Sequence, residues 1–368
     1  MKKQLLTLCF TLFATTNIFA LPPLLETTNY QTSSIKHLDF NMSWENLEIK
    51  KSNDNKITVE VYCNKKKFAP RVLTSGSGLL IETSASTRLF SWEKKSCTVI
   101  VYIPAGKEFD KTNIHLLSGD VKNEETLYAD SINIQTLSGD INTEGLNAKQ
   151  ISVTASSGDI EIKSVNSERT LVNANSGNIK INAIDSKTFT AKTLSGDQKY
   201  KSINANDLDF AAASGNIKIS DGAVQNISIS TSSGNISVED LLTNKFSVSS
   251  SSGTIGLELK AAPLKNSNAS TSSGTLFVSM PKDAAATIRA TTSSGGFTNS
   301  FTREKLSSHA NYKQDINGGG ATISLNSSSG NITLDVGDGV SATGRFIIDD
   351  TQIDDEDIPV VNIDRPIF

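Results

Sequence analysis

The sequence predicts an all-β fold, a single-chain β-solenoid (β-helix) built from coils of about 19 residues. Two observations carry this prediction. A Ser-Gly pair recurs along the chain at a nearly constant spacing, and apolar residues alternate with polar ones on both sides of each pair. A fixed period near twenty residues is typical of solenoids, in which each unit stacks only on its neighbours. Alternation with a period of two indicates strands that have one buried face.

The glycine of each Ser-Gly pair marks the repeat. Successive glycines are 20 residues apart, then 19 residues six times, then 21, 21 and 35. We interpret them as structural turns, because glycine adopts positive φ without a steric penalty and the neighbouring Asp or Asn can bond its own backbone. The marked glycines are Gly119, Gly139, Gly158, Gly177, Gly196, Gly215, Gly234, Gly253, Gly274, Gly295 and Gly330.

The apolar positions within one repeat predict its core. In the Gly158 repeat, Ile160 and Ile162 follow the glycine by two and four residues, and Val165 follows it by seven. We therefore expect two or three short strands around a narrow aliphatic core. After Gly196 the equivalent pair is Gln198 and Tyr200, which predicts a local defect or an exit of these side chains from the core.

Four segments are predicted along the chain. Residues 1–20 resemble a signal peptide, because Lys2 and Lys3 precede a short apolar run that ends near Ala20 and is too short for a stable membrane anchor. Residues 21–110 are strand-rich but lack the period, so we expect irregular N-terminal coils of the same solenoid. Residues 111–340 form the regular repeats, and part of 297–320 is expected to be a protruding loop or an irregular coil. Residues 341–368 form an acidic tail or a cap for the exposed strand edges.

Charge and cysteine content limit the function classes. The formal net charge is −4, and it becomes about −6 once a leader carrying two lysines is removed, so no nucleic-acid binding is expected. Cys63 and Cys97 lie in strand-like runs of a chain predicted to be exported to the periplasm, the outer surface or the medium. A disulfide between adjacent strands is the natural interpretation, and two buried free thiols are the alternative.

Lysines form the most distinctive candidate ligand face. Lys180, Lys199 and Lys218 each follow a marked glycine by three residues, and Lys163 and Lys201 lie two positions further along their coils. A cationic ladder of this kind suits acidic polysaccharide, the phosphates of lipopolysaccharide or teichoic-type polymers. The alternative is a solvated face balanced by nearby glutamates.

Metal, catalytic and cofactor sites are not predicted. The acids at the turns, such as Asp140 and Asp159, exchange with Asn from repeat to repeat, as turn formers do, whereas calcium needs six to eight oxygen ligands. Exposed serines before the later turns favour a soluble strand surface over a sugar-docking face. The three histidines, His37, His115 and His309, are scattered and pair with no nucleophile. A carbohydrate-active enzyme is the alternative, and it requires two carboxylates in one groove.

The repeated "SGD" and "SGN" turns, the opening "IPAGKEF…LLSGDV" and the closing "INGGGATISLNSSSGNITL" resemble the bacterial putative-adhesin β-strand-repeat family, over roughly residues 40–337. The resemblance implies a non-enzymatic scaffold or binding protein of the cell envelope or surface, without catalytic residues. Its expected partners are envelope or host glycans, or another envelope protein. A periplasmic partner-binding module that uses residues 297–320 is a further alternative. No transmembrane segment is expected in the mature chain, and its oligomeric state is left open.

Overall fold

The computed structural model describes residues 21–84 and 94–337, and its strands join into one 24-stranded sheet. The only helices among these residues are two short 3₁₀ helices, Thr32–Ser34 and Lys66–Phe68. The predicted all-β solenoid is confirmed. The predicted signal peptide at 1–20 and the predicted tail at 341–368 lie outside the described residues.

The strands fall into three groups. The N-terminal group comprises β1 (Leu24–Gln31), β2 (His37–Met42), β3 (Asn46–Lys51), β4 (Lys56–Cys63), β5 (Arg71–Ser75), β6 (Gly78–Glu82), β7 (Cys97–Ile103) and β8 (Glu108–Leu116). The regular group comprises seven long strands, β9 (Val121–Ser138), β10 (Ile141–Ser157), β11 (Ile160–Ser176), β12 (Ile179–Ser195), β13 (Gln198–Ser214), β14 (Ile217–Ser233) and β15 (Ile236–Ser252). The C-terminal group comprises β16 (Ile255–Leu259), β17 (Ser267–Ser273), β18 (Leu276–Pro281), β19 (Ala286–Thr292), β20 (Phe297–Asn299), β21 (Glu304–Leu306), β22 (Asn311–Ile316), β23 (Thr322–Ser329) and β24 (Ile332–Gly337).

Each long strand wraps one coil and pairs in parallel with the strands before and after it. The register places equivalent positions side by side, so that Ile160 of β11 lies opposite Ile179 of β12, nineteen residues later. The apolar side chains at the predicted inward positions, such as Ile162 and Val165, are buried. Stacking on both sides lets each coil bury an aliphatic strip that it could not bury alone.

The turn glycines are needed chiefly because successive coils approach each other closely. A Cβ on Gly139, Gly158 or Gly330 would lie only 2.0–2.2 Å from a carbonyl oxygen, that of Gly119, Gly139 or Gly274 respectively. Real Cβ atoms do not come this close to backbone oxygen. Gly139 is not among the glycines with positive φ, so contact between coils, and not turn conformation alone, requires glycine there.

At the N-terminal end, the order of strands in the stack differs from their order in the chain. Strand β2 lies between β8 and β6, and β3 lies between β9 and β7. The first coil of the chain therefore lies between two coils that come later in the sequence. Antiparallel strands then cover the end: β4 pairs with β7, β1 with β4, and β5 with β6. This arrangement closes the solenoid with strands that belong to the same sheet.

At the C-terminal end, too, the order of strands in the stack differs from their order in the chain. Strand β23 lies between β17 and β19, and β24 lies between β18 and β20, so the Gly330 coil is inserted between the coils of Gly274 and Gly295. Part of residues 297–320 was predicted to be a protruding loop or an irregular coil, and three short strands of this segment pair within the C-terminal end of the sheet. Strand β21 pairs antiparallel with β20, and β22 pairs antiparallel with β19, so the segment covers the end of the stack.

The predicted defect at Gln198 and Tyr200 is wrong, because both side chains point into the core and are buried. The Tyr200 ring stacks on Phe210 at 4.3 Å between centroids, and its hydroxyl donates to Gln198 Oε1 at 2.9 Å. Gln198 Nε2 donates to Thr193 Oγ1 at 3.0 Å and to the Ala211 carbonyl at 2.7 Å. Each polar group therefore has a partner, which makes its burial tolerable.

The two cysteines lie directly opposite each other in the antiparallel pair formed by β4 and β7. A disulfide joins Cys63 to Cys97 across this pair. Both residues are buried, at 0% and 4% exposure. The bond thus ties one of the end-covering strands to the outermost N-terminal coil.

Candidate binding face

The five lysines singled out from the sequence occur together on one side of the solenoid, here called the lysine face (Lys163, Lys180, Lys199, Lys201 and Lys218). Lys180, Lys199 and Lys218 are direct register partners on β12, β13 and β14. Neighbouring strands lie about 4.8 Å apart, so the three side chains leave the backbone at that interval. The face is thus a short row of cations on a fixed framework.

Glutamates border the lysine face at both ends. Three of the lysines form ion pairs with them: Lys163 with Glu144 (2.6 Å), Lys180 with Glu161 (3.0 Å) and Lys218 with Glu239 (3.8 Å). The Lys163–Glu144 pair is exposed, whereas Lys180 and Lys218 are partly buried in theirs. An exposed pair is worth at most about 1 kcal/mol and weakens with salt. A polyanion can therefore replace the glutamates at small cost.

Positive charge is concentrated at the centre of the face. In the register positions directly beside Lys199, both side chains are lysines, Lys180 and Lys218. Lys201 follows on the same strand, two residues further along. Like charges at this spacing repel one another, and a bound anion relieves the repulsion.

The turn acids lie beside this face and form a hydrogen-bond ladder. Each Oδ1 accepts the backbone N–H of the turn residue in the next coil, and not of its own turn as expected from the sequence. The N–H donors and their acceptors are Asp140 to Asp120 (3.0 Å), Asp159 to Asp140 (2.8 Å), Asn178 to Asp159 (2.7 Å), Asp197 to Asn178 (2.9 Å), Asn216 to Asp197 (2.7 Å), Asn235 to Asn216 (2.9 Å) and Thr254 to Asn235 (2.8 Å). Asp and Asn are interchangeable here because only one acceptor oxygen is needed.

The ladder begins one coil earlier than the sequence suggested. Asn46 Oδ1 accepts the N–H of Asp120 at 3.1 Å. The sequence offered little signal for this residue, because Glu45 occupies the place of the turn glycine and its coil lies out of chain order. Within residues 21–84 and 94–337, no group of three or more His, Cys, Asp and Glu side chains is arranged to hold a metal ion.

Hydroxyl groups cover a second, neighbouring surface. The serines noted before the later turns, Ser228, Ser230, Ser247 and Ser249, are exposed. The array continues across the inserted coil, because Ser249 pairs with Ser270 and Ser270 with Asn326. A shallow groove of about 360 Å³ follows these residues and is lined by Ser, Thr and Asn alone.

The histidines and the grooves give little support to an enzyme. His37 lies on β2, with Nε2 3.9 Å from an Asp110 carboxylate oxygen, while His115 lies on β8 and His309 follows β21. A second groove, beside Lys260–Leu264, is lined by one acid, Asp283. Neither of these two grooves has the pair of carboxylates that glycoside hydrolysis requires.

Comparison with known families shows which family the chain belongs to. The family model described as Toastrack DUF4097 matches residues 35–181 and again residues 168–335. The chain belongs to this family. The two matches together cover most of the described solenoid, and they overlap within its regular part. The resemblance noted in the sequence is thereby confirmed.

The chain is also similar to several solved structures, at low sequence identity. A putative adhesin from Parabacteroides distasonis has 13% identity and a TM-score of 0.36, with 85% of this chain and 97% of that chain covered. A putative adhesin from Bacteroides fragilis has 13% identity and a TM-score of 0.27, with the same coverage. A putative lipid binding protein from Parabacteroides distasonis has 14% identity and a TM-score of 0.30, with 83% and 96% covered.

No curated protein matches the chain. Residues 21–84 and 94–337 contain no helix with the length and apolar character needed to cross a bilayer.

Proposed function

We propose that this chain is an exported, non-enzymatic scaffold or binding protein of the cell envelope or cell surface, and that the lysine face binds acidic polymers. The ligand class is a glycan or envelope polymer that carries carboxylate or phosphate groups repeatedly along its length. The observation that carries the proposal is the direct register of Lys180, Lys199 and Lys218 on three neighbouring strands.

A regular row of cations suits a polymer better than a small anion. A single carboxylate or phosphate contacts one or two lysines, whereas a polymer can place successive charges against successive coils. The stacked strands hold the lysine backbones in place, so binding orders only side chains and costs less conformational entropy than ordering a loop. Electrostatic attraction also speeds the encounter of the two molecules at low salt.

Export is supported by two features of the chain. Residues 1–20 have the basic start and short apolar run of a secretion signal. The disulfide between Cys63 and Cys97 is of a kind that persists in oxidising compartments such as the periplasm or the medium. Both features suit an encounter with envelope or host polymers.

The test is salt-dependent retention on immobilised heparin, used as a polyanion probe. The variant replaces Lys180, Lys199 and Lys218 by Ser. A matched control, Lys149→Ser, Lys187→Ser and Lys245→Ser, removes the same charge from another side of the coils. At about 0.5–1 kcal/mol for each exposed charge contact, the face variant should bind about tenfold more weakly or worse. Elution of the face variant at the same salt as the control would contradict the proposal.

A further inference from the structure

We propose that the free edge of β1 (Leu24–Gln31) is a dimer interface, where a second copy of this chain adds its own β1 as an antiparallel strand in a register centred on Thr28. The two solenoids then meet end to end and share one continuous sheet. This surface is separate from the lysine face, and the inference does not depend on ligand binding there. Three observations carry it: the unpaired edge of β1, its lack of protective charges and the complementarity of the strand to itself.

Strand β1 has a strand partner on one side. It pairs antiparallel with β4, and no further pairing of β1 occurs within residues 21–84 and 94–337. On its other side, the backbone N–H and C=O groups of alternate residues therefore point away from the sheet. An unpaired edge of this kind is a template for a strand from another chain. The edge is eight residues long, which is enough for several main-chain hydrogen bonds.

Charge or short length protects the other strands that cover the ends, whereas β1 has neither protection. At the C-terminal end, β21 has three residues, two of them charged, and β22 carries Lys313 and Asp315. Strand β5, at the N-terminal end, has five residues and begins with Arg71. Strand β1, "LLETTNYQ", contains no lysine, arginine or proline, and Glu26 is its one charged residue. Charges and prolines on edge strands keep other chains away, so an edge without them indicates an interface.

Exposed leucines cluster at the start of this edge. Leu21, Leu24 and Leu25 are 46%, 49% and 39% exposed. They are three of the eleven large hydrophobic side chains that are exposed in the described parts of the chain. Apolar side chains that are exposed side by side mark contact surfaces. These leucines lie at the margin of β1, where the end of a second β1 would cover part of them.

The symmetry of a dimer limits the register of the added strand. A two-fold axis perpendicular to the sheet keeps each side chain on its own face, so one residue must lie opposite its own copy. The pairing of β1 with β4 shifts at the start of the strand, before Glu26, and is regular from Glu26 to Gln31. A register centred on Thr28 uses this regular part.

In this register the strand is complementary to itself. Thr27 lies opposite Asn29 of the second copy, and Glu26 lies opposite Tyr30. The one charged residue of the strand thus faces an uncharged residue, and no like charges are opposed. Thr27 and Asn29 are exposed, so the pairing requires no rearrangement of the core.

The contact is small, so the dimer should be reversible. Strand addition contributes main-chain hydrogen bonds, but it covers less surface than the about 1,200–2,000 Å² of a typical stable interface. We therefore expect a monomer–dimer equilibrium with a dissociation constant on the order of micromolar. The assembly should stop at the dimer, because the two-fold contact uses the free edge of β1 in both copies.

The first test measures the mass in solution by analytical ultracentrifugation over a range of protein concentrations. The parent should approach twice the monomer mass as its concentration rises. Thr27→Lys with Asn29→Lys opposes two pairs of lysines across the axis and should weaken the dimer about tenfold. The matched control, Ser247→Lys with Ser249→Lys, adds the same charges at the same spacing to β15, inside the stack, and should dimerise like the parent.

A variant of opposite charge separates a lost interface from a lost fold. Thr27→Glu with Asn29→Glu should also weaken self-association, whereas an equimolar mixture of the lysine and glutamate variants should form a mixed dimer. A parent that stays monomeric leaves the edge to some other strand and would overturn the proposal. A lysine variant that associates like the control, or a parent that grows into fibres, would overturn it as well.

The second test examines the register through new cysteines. Directly opposite residues of antiparallel strands have Cα atoms about 4.5–5.5 Å apart, which is within the range of a disulfide. Thr28→Cys should therefore give a covalent dimer on mild oxidation, seen on a non-reducing gel. In Gln31→Cys the two new thiols lie about 20 Å apart, and no link should form. No covalent dimer from Thr28→Cys, or equal amounts from both variants, would overturn the proposed pairing.

Discussion

The backbone N–H of Asp159 donates a hydrogen bond of 2.8 Å to Oδ1 of Asp140, the equivalent residue one coil earlier. This hydrogen bond explains why an Asp or Asn recurs after the glycine of each "SGD" or "SGN" turn. The acid serves as an acceptor that joins neighbouring coils, and the adjacent glycine lets those coils approach. The turn is therefore a contact between repeats, and the outward residues that it holds in register are where ligand binding should be sought.

The ladder predicts that the charge of its acids is dispensable and their acceptor oxygen is not. Asp159→Asn keeps Oδ1, so its free energy of unfolding should stay within about 0.5 kcal/mol of the parent. Asp159→Ala removes the acceptor for the backbone N–H of Asn178 and should lower the free energy of unfolding by about 1 kcal/mol. Urea denaturation of both variants measures the difference. Equal losses for the Asn and Ala variants would show that the carboxylate charge, which both variants remove, matters more than the acceptor oxygen.

The turn glycine should tolerate no side chain. In Gly158→Ala the new Cβ would lie 2.2 Å from the Gly139 carbonyl oxygen, so the coils must separate locally. Overpacking of this kind costs about 1–3 kcal/mol. The control is Ser157→Ala at the exposed neighbouring position, which should change stability little. Thermal melting of both variants decides the point, and equal melting temperatures would refute the close-contact explanation.

The regular coils could be predicted from sequence because every coil there meets the same surroundings. With a period of 19 residues and strict stacking, the pairing of Ile160 with Ile179 and the register of Lys180 with Lys199 both follow from spacing alone. The lysine row was visible in the sequence for this reason. The ion pair between Lys218 and Glu239 was harder to predict from the sequence, because Glu239 lies on the next coil, two residues beyond the register partner of Lys218.

The ends could not be predicted in the same way, because there the order of strands in the stack departs from their order in the chain. No local pattern states that Gly330 precedes Gly295 in the stack, since both turns have the same sequence character. The burial of Gln198 and Tyr200 was missed for a different reason. It depends on the Thr193 hydroxyl and the Ala211 carbonyl, whose positions follow only from the three-dimensional coil.

The disulfide should contribute strongly to the stability of the N-terminal end. It closes a sequence separation of 34 residues, for which the loss of unfolded-state entropy corresponds to about 4 kcal/mol. Reduction should therefore lower the melting temperature of the parent. Cys63→Ala with Cys97→Ala should melt lower than the oxidised parent and should not respond to reductant. An oxidised parent that melts no higher than this double variant would contradict the prediction.

The buried Tyr200 should make the protein sensitive to alkaline pH. Burial raises the pKa of its hydroxyl well above the ordinary value of 10.0, whereas in the unfolded chain the hydroxyl ionises near 10. The folded state therefore holds its proton more tightly, and the contribution of Tyr200 to stability is complete below about pH 10 and falls as the pH rises above it. Tyr200→Phe should flatten this fall, and the free energy of unfolding between pH 9 and 11.5 measures it.

The same substitution has a second, pH-independent consequence that serves as its control. Tyr200→Phe leaves Gln198 Oε1 without its donor, at a cost of about 1–3 kcal/mol at neutral pH. Gln198→Leu combined with Tyr200→Phe removes both partners of this hydrogen bond and should recover part of that loss, since no buried amide oxygen is then left without a donor. The recovery is partial because the Ala211 carbonyl loses its Gln198 donor. Equal alkaline slopes for the parent and both variants would assign the pH dependence to other tyrosines, such as Tyr62, whose bond to Glu60 raises its pKa to about 12.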